Sequence, residues 1–400
     1  MTTSTSEPIV FTGDPYSEEH LLNPYPFLAS LQEAGSVSWL ESEQTYAITG
    51  YDEVYEVLTD FETFVSSGGL GPRDIRKDDG WRPPSILESD PPIHTLMRRA
   101  LTGVINPGTV RALRKDFTAP AVSLVEALVQ RNTFDAITDL AEKYPIEVFP
   151  DAVGIPQEGR EHLLPYGNMV FNAFGPENYI YHQAFAEGDE HARVVMNACK
   201  RESLTDSGFG AGIWAKVGEG LITEEQATLL VRALLSAGVD TTIFGIGNTL
   251  SVLARHPEAW ERLRKEPSLA KFAIDEALRL ESPFQKFHRT TTVDTELGGV
   301  GIPAGSKVQV FIGAANRDPK KWGADANEFS LERTSSGHVA FGMGLHQCVG
   351  QPIARMEMEI VLQQLLEKVV SIELVGEPKP ILHNVLRGFE SMPVRITTQR

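Results

Sequence analysis

Residues 341–355 read FGMGLHQCVGQPIAR, with one cysteine, Cys348, held among Gly342, Gly344 and Gly350 just before a helical pattern begins. Backbone N–H groups at the start of that helix can point at the sulfur and favour thiolate over thiol. A thiolate so placed is a metal ligand or a nucleophile. A structural zinc site needs further Cys or His at short spacing, and only His346 is near. No familiar cysteine-protease signature surrounds Cys348, although a distant histidine partner is compatible with the sequence. The second cysteine, Cys199 in NACKRES, matches no such motif. Two cysteines are too few for a disulfide framework in a chain of 400 residues.

Outward from this loop the chain is that of an ordinary globular protein, 42% hydrophobic and 22% charged. Lys plus Arg 36 against Asp plus Glu 54 gives a net charge of -18, which repels nucleic acid and anionic lipid. The opening MTTSTSEPIV lacks a basic n-region and an apolar h-region, and no later apolar run is expected to reach membrane-spanning length. The expectation is a cytoplasmic protein with no nucleic-acid or membrane partner.

Helical periodicity dominates: SLVEALVQ near 123, TEEQATLLVRALLSAGVDTTIFGIGNTLSVLARH from 223, LAKFAIDEALRLES from 269 and ARMEMEIVLQQLLEKVV from 354. Strand-like alternation is short and local, in VSWLESEQTYAITG, TELGGVGIPAGSKVQVFIG, VSIELVG and MPVRITT. The fold class is mainly α, a helical body with small β-sheets. Without a fixed-period repeat or a Pro/Gly/Ser-rich linker, residues 1–400 are expected to form one domain, with 1–12 flexible. GFGAGIW at 208 and GIGNTL at 245 do not fit GxGxxG after a strand, and GxxxxGK[ST] is absent, so a nucleotide cradle is unsupported.

Phe341, Gly342, Gly344, His346, Cys348 and Gly350 match FxxGxxxCxG, and with them the chain resembles the cytochrome P450 superfamily in its haem-binding loop. The resemblance extends over nearly the whole chain and implies the cytochrome P450 fold, haem b as cofactor and Cys348 as the metal ligand, a thiolate that favours O–O cleavage. It implies a cofactor-binding set of His94 and Arg98 in DPPIHTLMRR, Ala237 and Gly238 in AGVDTT, Arg289 in FHRTTT, and Phe341, Gly342, His346, Cys348 and Gly350 in the loop. His94, Arg98, Arg289 and His346 are the cations for two propionates, which arginine grips by paired hydrogen bonds. Small Ala237 and Gly238 would let a flat macrocycle approach a long helix. Asp240 and Thr241 would stand side by side as the catalytic acid and hydroxyl that deliver protons during dioxygen activation. Glu276 and Arg279 in EALR, joined by Arg333 in FSLER, would form a buried structural ion-pair cluster.

The resemblance also implies electrons from NAD(P)H through external redox partners, a ferredoxin and/or ferredoxin reductase, with O2 and a small aromatic substrate as co-reactants. Arg111, Arg114 and Lys115 are candidates for a basic docking patch, or equally for a solvated helix face. WRPPSILESDPPIH, DAVGIPQEGREHLLPYGNMVFNAFGPEN, LLVRALLSAGVDTT and LESPFQKFHRTTT are similar to the bacterial P450s that demethylate para-methoxybenzoates. In that group Val170, Phe171, Phe174, Ala237 and Phe287 would line a flat aromatic slot. One departure stands out: SSGGLGPRDI places Gly68 where those relatives carry an arginine for the benzoate carboxylate. Arg73 or Arg232 would have to replace it. The expectation is therefore O-demethylation of a neutral methoxyarene, such as a 4-alkylguaiacol from lignin, to a catechol and formaldehyde; the alternative is a para-substituted benzoate. The Asp240–Thr241 pair argues against a peroxide-driven peroxygenase and against a non-catalytic haem protein.

Overall fold

The computed structural model describes residues 6–77 and 82–398. Trp81 of the WRPPSILESDPPIH stretch and residues 1–5 lie outside the described residues. In the amino-terminal stretch Ile9–Phe11 forms a strand, and Ser6 bridges to Val300.

The helices that build the site are, in chain order, α1 (Ile93–Val104), α2 (Pro107–Val129), α3 (Lys143–Val153), α4 (Leu163–Asn172), α5 (Glu224–Ala237), α6 (Asp240–Ala254), α7 (Ala270–Leu280) and α8 (Gln351–Lys368). Local chemistry sets their ends. Asn106 accepts hydrogen bonds from the N–H groups of Gly108 and Thr109 ahead of α2, and Thr223 and Gln226 form a capping box on α5. In α8 the buried stripe Ile353, Met356 and Ile360 keeps the helical period against the core.

The apolar stretch from 223 does not form the single longest helix that its periodicity predicts. It breaks at Gly238–Val239 into α5 and α6, so AGVDTT spans a joint rather than a continuous helix. Taken together, Glu224–Ala254 is long and apolar enough to cross a membrane by length and composition, contrary to the sequence expectation. Most of its apolar window, 78%, is buried inside the fold, which marks it as core.

The main sheet joins β1 (Ile9–Phe11), β2 (Val37–Leu40), β3 (Thr45–Ile48), β4 (Phe64–Val65), β5 (Lys286–Thr291) and β6 (Lys307–Phe311) in the order β1-β2-β3-β6-β5-β4. β5 pairs antiparallel with β6 through Phe287 opposite Val310 and Arg289 opposite Val308. Residues two apart on a strand share a face. Phe287 and Arg289 therefore look together into the interior. A second sheet has Pro393–Thr398 at its centre, antiparallel to Val369–Leu374 on one side and to Thr133–Asp135 on the other. One hydrophobic cluster runs from Val37 to Ile396 and includes buried residues of every helix named here.

Behind the site, Glu276 and Arg279 of α7 are fully buried and doubly hydrogen-bonded at 2.8 Å. Arg333 reaches the same carboxylate at 3.0 Å and Ser335 at 2.6 Å, while the Arg279 guanidinium also donates to the carbonyls of Asn316 and Ala326. Every buried charge here is matched, the condition under which such a cluster is tolerated in a core.

Candidate active site

A cavity opens where the α5–α6 joint faces the loop before α8, with β5 along one side and α1 along another. The loop is shaped by two glycines in left-handed backbone: Gly342 at φ +67 and Gly344 at φ +68. At Gly344 a Cβ would lie 2.7 Å from the Leu58 carbonyl oxygen, so the site needs glycine twice over. Gly350 differs, since a Cβ there would meet only Cys348 Sγ at 3.7 Å, an ordinary contact. The Cys348 N–H donates to the Phe341 carbonyl at 2.8 Å and closes the loop.

Cys348 is enclosed by the fold yet open to the cavity it lines. Burial pushes its thiol up; the Gly350 and Gln351 N–H groups, Arg98 and Arg355 pull the other way. Burial wins, so helix-terminus donors alone do not make the thiolate that the sequence suggests. A bound metal cation would.

Around the cavity rim His94 and His346 meet with ring centroids 4.4 Å apart and planes tilted by 57°. His94 Nδ1 and His346 Nε2 are buried without a hydrogen-bond partner. Burial, followed by Arg98, depresses His94 to about 4; burial, followed by Arg289, His94 and Arg98, depresses His346 to about 2. Arg98 donates to the Gln347 carbonyl at 2.6 Å, and burial lowers Arg289 to about 10. Neither arginine makes an ion pair among the described residues. Two guanidiniums without an acidic partner, and two imidazoles each with an unpartnered buried nitrogen, call on one rim for an anionic ligand.

At the joint, the Thr241 hydroxyl donates to the Ala237 carbonyl at 2.8 Å and the Thr242 hydroxyl to the Gly238 carbonyl at 3.0 Å. These hydroxyls take up carbonyls at the break. Ala237, Gly238, Thr241 and Thr242 line the cavity; Asp240 does not. Adjacent helical residues point about 100° apart, and the Asp240 carboxylate packs on α4, where a Cβ on Gly167 would lie 2.2 Å from its Oδ2. Burial holds Asp240 well above the usual carboxylate range. The expected side-by-side acid and hydroxyl are thus separated. Gly238 is small for a second reason, since a Cβ there would lie 2.4 Å from the Phe149 ring of α3.

The remaining wall is apolar. Phe171 from α4, Phe174 from the turn that follows it and Phe287 from β5 line it with Ala237, as the sequence anticipates. Val170 is buried but turns away from the cavity. Phe284, unanticipated, lines it too, and so does Glu357 of α8, whose two carboxyl oxygens are buried without a partner. Glu357 sits on the apolar stripe of α8, one residue after Met356. An acid at such a position was the available signal.

A sequence profile of the cytochrome P450 family matches residues 204–396. The chain is 49% identical over 386 residues to cytochrome P450 CYP199A2 of Rhodopseudomonas palustris, covering 96% of this chain and 93% of that one. It belongs to the cytochrome P450 family. Cytochrome P450 107B1 of Saccharopolyspora erythraea is 31% identical over 88% of this P450 and 89% of its own length. Among solved structures, CYP109Q5 from Chondromyces apiculatus is 30% identical with a TM-score of 0.80, covering 97% of this chain and 99% of that one. P450BioI in complex with an acyl carrier protein gives 0.85 at 26% identity, covering 95% and 100%.

The P450 is thus a bacterial-type haem-thiolate monooxygenase, and the family implies haem. The residues fit that group: one sulfur faces the cavity, and the unpaired cations of the rim would take its propionates. No cluster of three or more His, Cys, Asp or Glu suited to a metal ion occurs among the described residues, and Cys348 would hold the haem iron. Gly68 does not line this cavity. A Cβ there would lie 2.2 Å from Thr290 Oγ1, so the glycine accommodates a neighbour instead of leaving space for substrate. Neither proposed substitute reaches the cavity: Arg73 pairs with Glu177 at 2.8 Å on the surface, and buried Arg232 donates to the Pro83 carbonyl at 2.8 Å. Arg111, Arg114 and Lys115 are exposed on α2, but Arg114 is paired with Glu359. Cys199 is buried, and burial raises its thiol to about 12.

Proposed function

We propose that this P450 O-demethylates a neutral para-substituted methoxyarene, with 4-alkylguaiacols as the substrate class. The overall reaction is ArOCH3 + O2 + 2e− + 2H+ → ArOH + CH2O + H2O, which consumes one O2 per methyl group removed. A haem bound at Cys348 supplies the activation of dioxygen. The protein's own residues hold and orient the ring and set the Thr241 hydroxyl oxygen on the cavity surface beside it.

The observation that carries this reading is the polarity of the cavity. Its charged or titratable lining groups are His94, Arg98, Arg289, His346, Cys348 and Glu357; of these Arg289 covers the Phe287 ring at the rim end of the phenylalanine wall, and the wall itself is built of apolar side chains. Burying an unpaired carboxylate against such a wall costs several kcal/mol, whereas each alkyl CH2 gains about 0.8 kcal/mol. Thr241 keeps its hydroxyl oxygen at the cavity surface while its proton is engaged by Ala237, so it can accept a hydrogen bond from water or substrate oxygen. Electrons would come from NAD(P)H through a ferredoxin or ferredoxin reductase in the cytoplasm, with Arg111 and Lys115 as the remaining docking cations.

Demethylation of para-substituted benzoates is the second reading, favoured by one feature: Arg232 Nη1 is buried without a partner behind Ala233 and Leu234. Spin-shift titration of the holoenzyme separates the two. The expected result is a lower dissociation constant for 4-ethylguaiacol than for 4-methoxybenzoate, with catechol and formaldehyde formed on turnover. Tighter binding of the benzoate, lost in Arg232→Met, would overturn it.

A further inference from the structure

Phe284 is the hub of the aromatic wall. Its ring centroid lies 5.7 Å from Phe171 at 73°, 6.2 Å from Phe174 at 44° and 5.3 Å from Phe287 at 20°. Phe171 and Phe174 also meet edge to face, at 5.8 Å and 89°. Such offset and T-shaped contacts hold rings in fixed orientations.

The backbone of Phe284 is pinned as well. It bridges to Leu386; Gln285 N–H donates to the Val385 carbonyl at 2.9 Å, and Arg387 N–H donates to the Pro283 carbonyl at 2.7 Å. A ring held by a clamped backbone and three ring neighbours is a rigid wall.

The four rings are not equivalent. Phe171, Phe174 and Phe287 retain 4%, 5% and 6% exposure, so they mostly back the wall. Phe284 lines the same cavity but is only partly buried, so it keeps more exposed ring surface than the other three. Phe287 is in turn covered by the Arg289 guanidinium, 4.6 Å from its centroid. The wall therefore runs from a rim cation to α4 through Phe284.

We propose that Phe284 is the specificity-determining residue of this cavity: its ring limits the slot to one benzene ring, admitting single-ring methoxyarenes and excluding fused two-ring ones. The inference rests on the O-demethylation reading for its substrate class, and for its size limit on Phe284's clamped backbone, its packed ring and its exposure on the cavity wall.

The test is spin-shift titration of holoenzyme, wild type against Phe284→Ala, Phe284→Val and Phe284→Leu, with 4-ethylguaiacol, 4-methoxybenzoate and 2-methoxynaphthalene. An intact reduced carbon monoxide band certifies each variant. Wild type is expected to bind 2-methoxynaphthalene at least about tenfold more weakly than 4-ethylguaiacol; Ala and Val should reverse that order, and Leu, which fills most of the space, should not. Equal binding of both ligands by wild type, or parallel weakening of every ligand in Ala and Val, would overturn the proposal. Tight wild-type binding of 4-methoxybenzoate would overturn only the neutral-substrate reading, because the size limit is judged between two uncharged ligands.

Discussion

The two sides of the cavity are built from different materials. The cysteine side consists of constrained backbone and incompletely satisfied polar groups: glycines at positive φ, a thiol raised by burial, two imidazoles each with an unpartnered nitrogen and two guanidiniums without an acidic partner. The phenylalanine side consists of rings that satisfy one another. An unsatisfied site is completed by a particular ligand; a self-satisfied wall accepts whatever fits its shape. Cofactor identity is thus fixed by polarity, whereas substrate choice depends on packing.

The largest test of this contrast is Cys348→Ser. It should abolish the red-shifted reduced carbon monoxide band and cut turnover by at least about 10³-fold, whereas Cys199→Ser should retain both. Loss of the band in the Cys199 variant instead would break the assignment of the polar side.

A smaller effect follows from the rim histidines. In the folded apoprotein His94 titrates at about 4 and His346 at about 2, while the unfolded chain takes up those protons near 6.5. The unfolded state then binds more protons, so stability falls as pH drops below about 6.5, by up to roughly 1.4 kcal/mol per pH unit for each histidine. Urea denaturation of apoprotein at pH 7 and pH 5 should show a shallower loss in a His94→Asn, His346→Asn double variant. An unchanged slope would mean that these rings are not held neutral.

The smallest expected effect separates neighbours at the helix joint. Thr241→Ala should divert several-fold more NAD(P)H to peroxide while barely changing ligand affinity, because its hydroxyl lines the cavity. Asp240→Asn should couple better than Thr241→Ala, since its carboxyl is already held neutral by burial and faces Gly167. The reverse order, read as product formed per NAD(P)H consumed, would show that Asp240 turns into the cavity during turnover.

The same contrast explains what the sequence reveals. The loop is legible because Gly342, Gly344 and Cys348 meet requirements few other residues can meet, and the strand pairs at 37–48 and 369–398 are legible from alternation. The apolar wall is less so: Val170 and Phe171 are equally apolar neighbours, and only the phase of α4 decides which meets the cavity. Phe284 stays hidden because its spacing from Phe287 fits neither the alternation of a strand nor a long helical run. The joint at Gly238 is masked by apolar periodicity that continues across it. Strand β1 is three residues long and pairs only with a distant segment, which leaves little local signal.

The Glu276–Arg279–Arg333 cluster acts on the chain's alternatives more than on its native energy. Hydrocarbon of equal volume would stabilise the core about as well, but removing one member of a matched buried set costs about 3–5 kcal/mol. Arg333 arrives from a segment that ends fifteen residues before Cys348. A compact form with that segment misplaced strands the Glu276 charge in the interior, and so is penalised even when its apolar contacts are good. The cluster thus sets a charge-matching condition on where the segment ahead of the cysteine loop sits against α7.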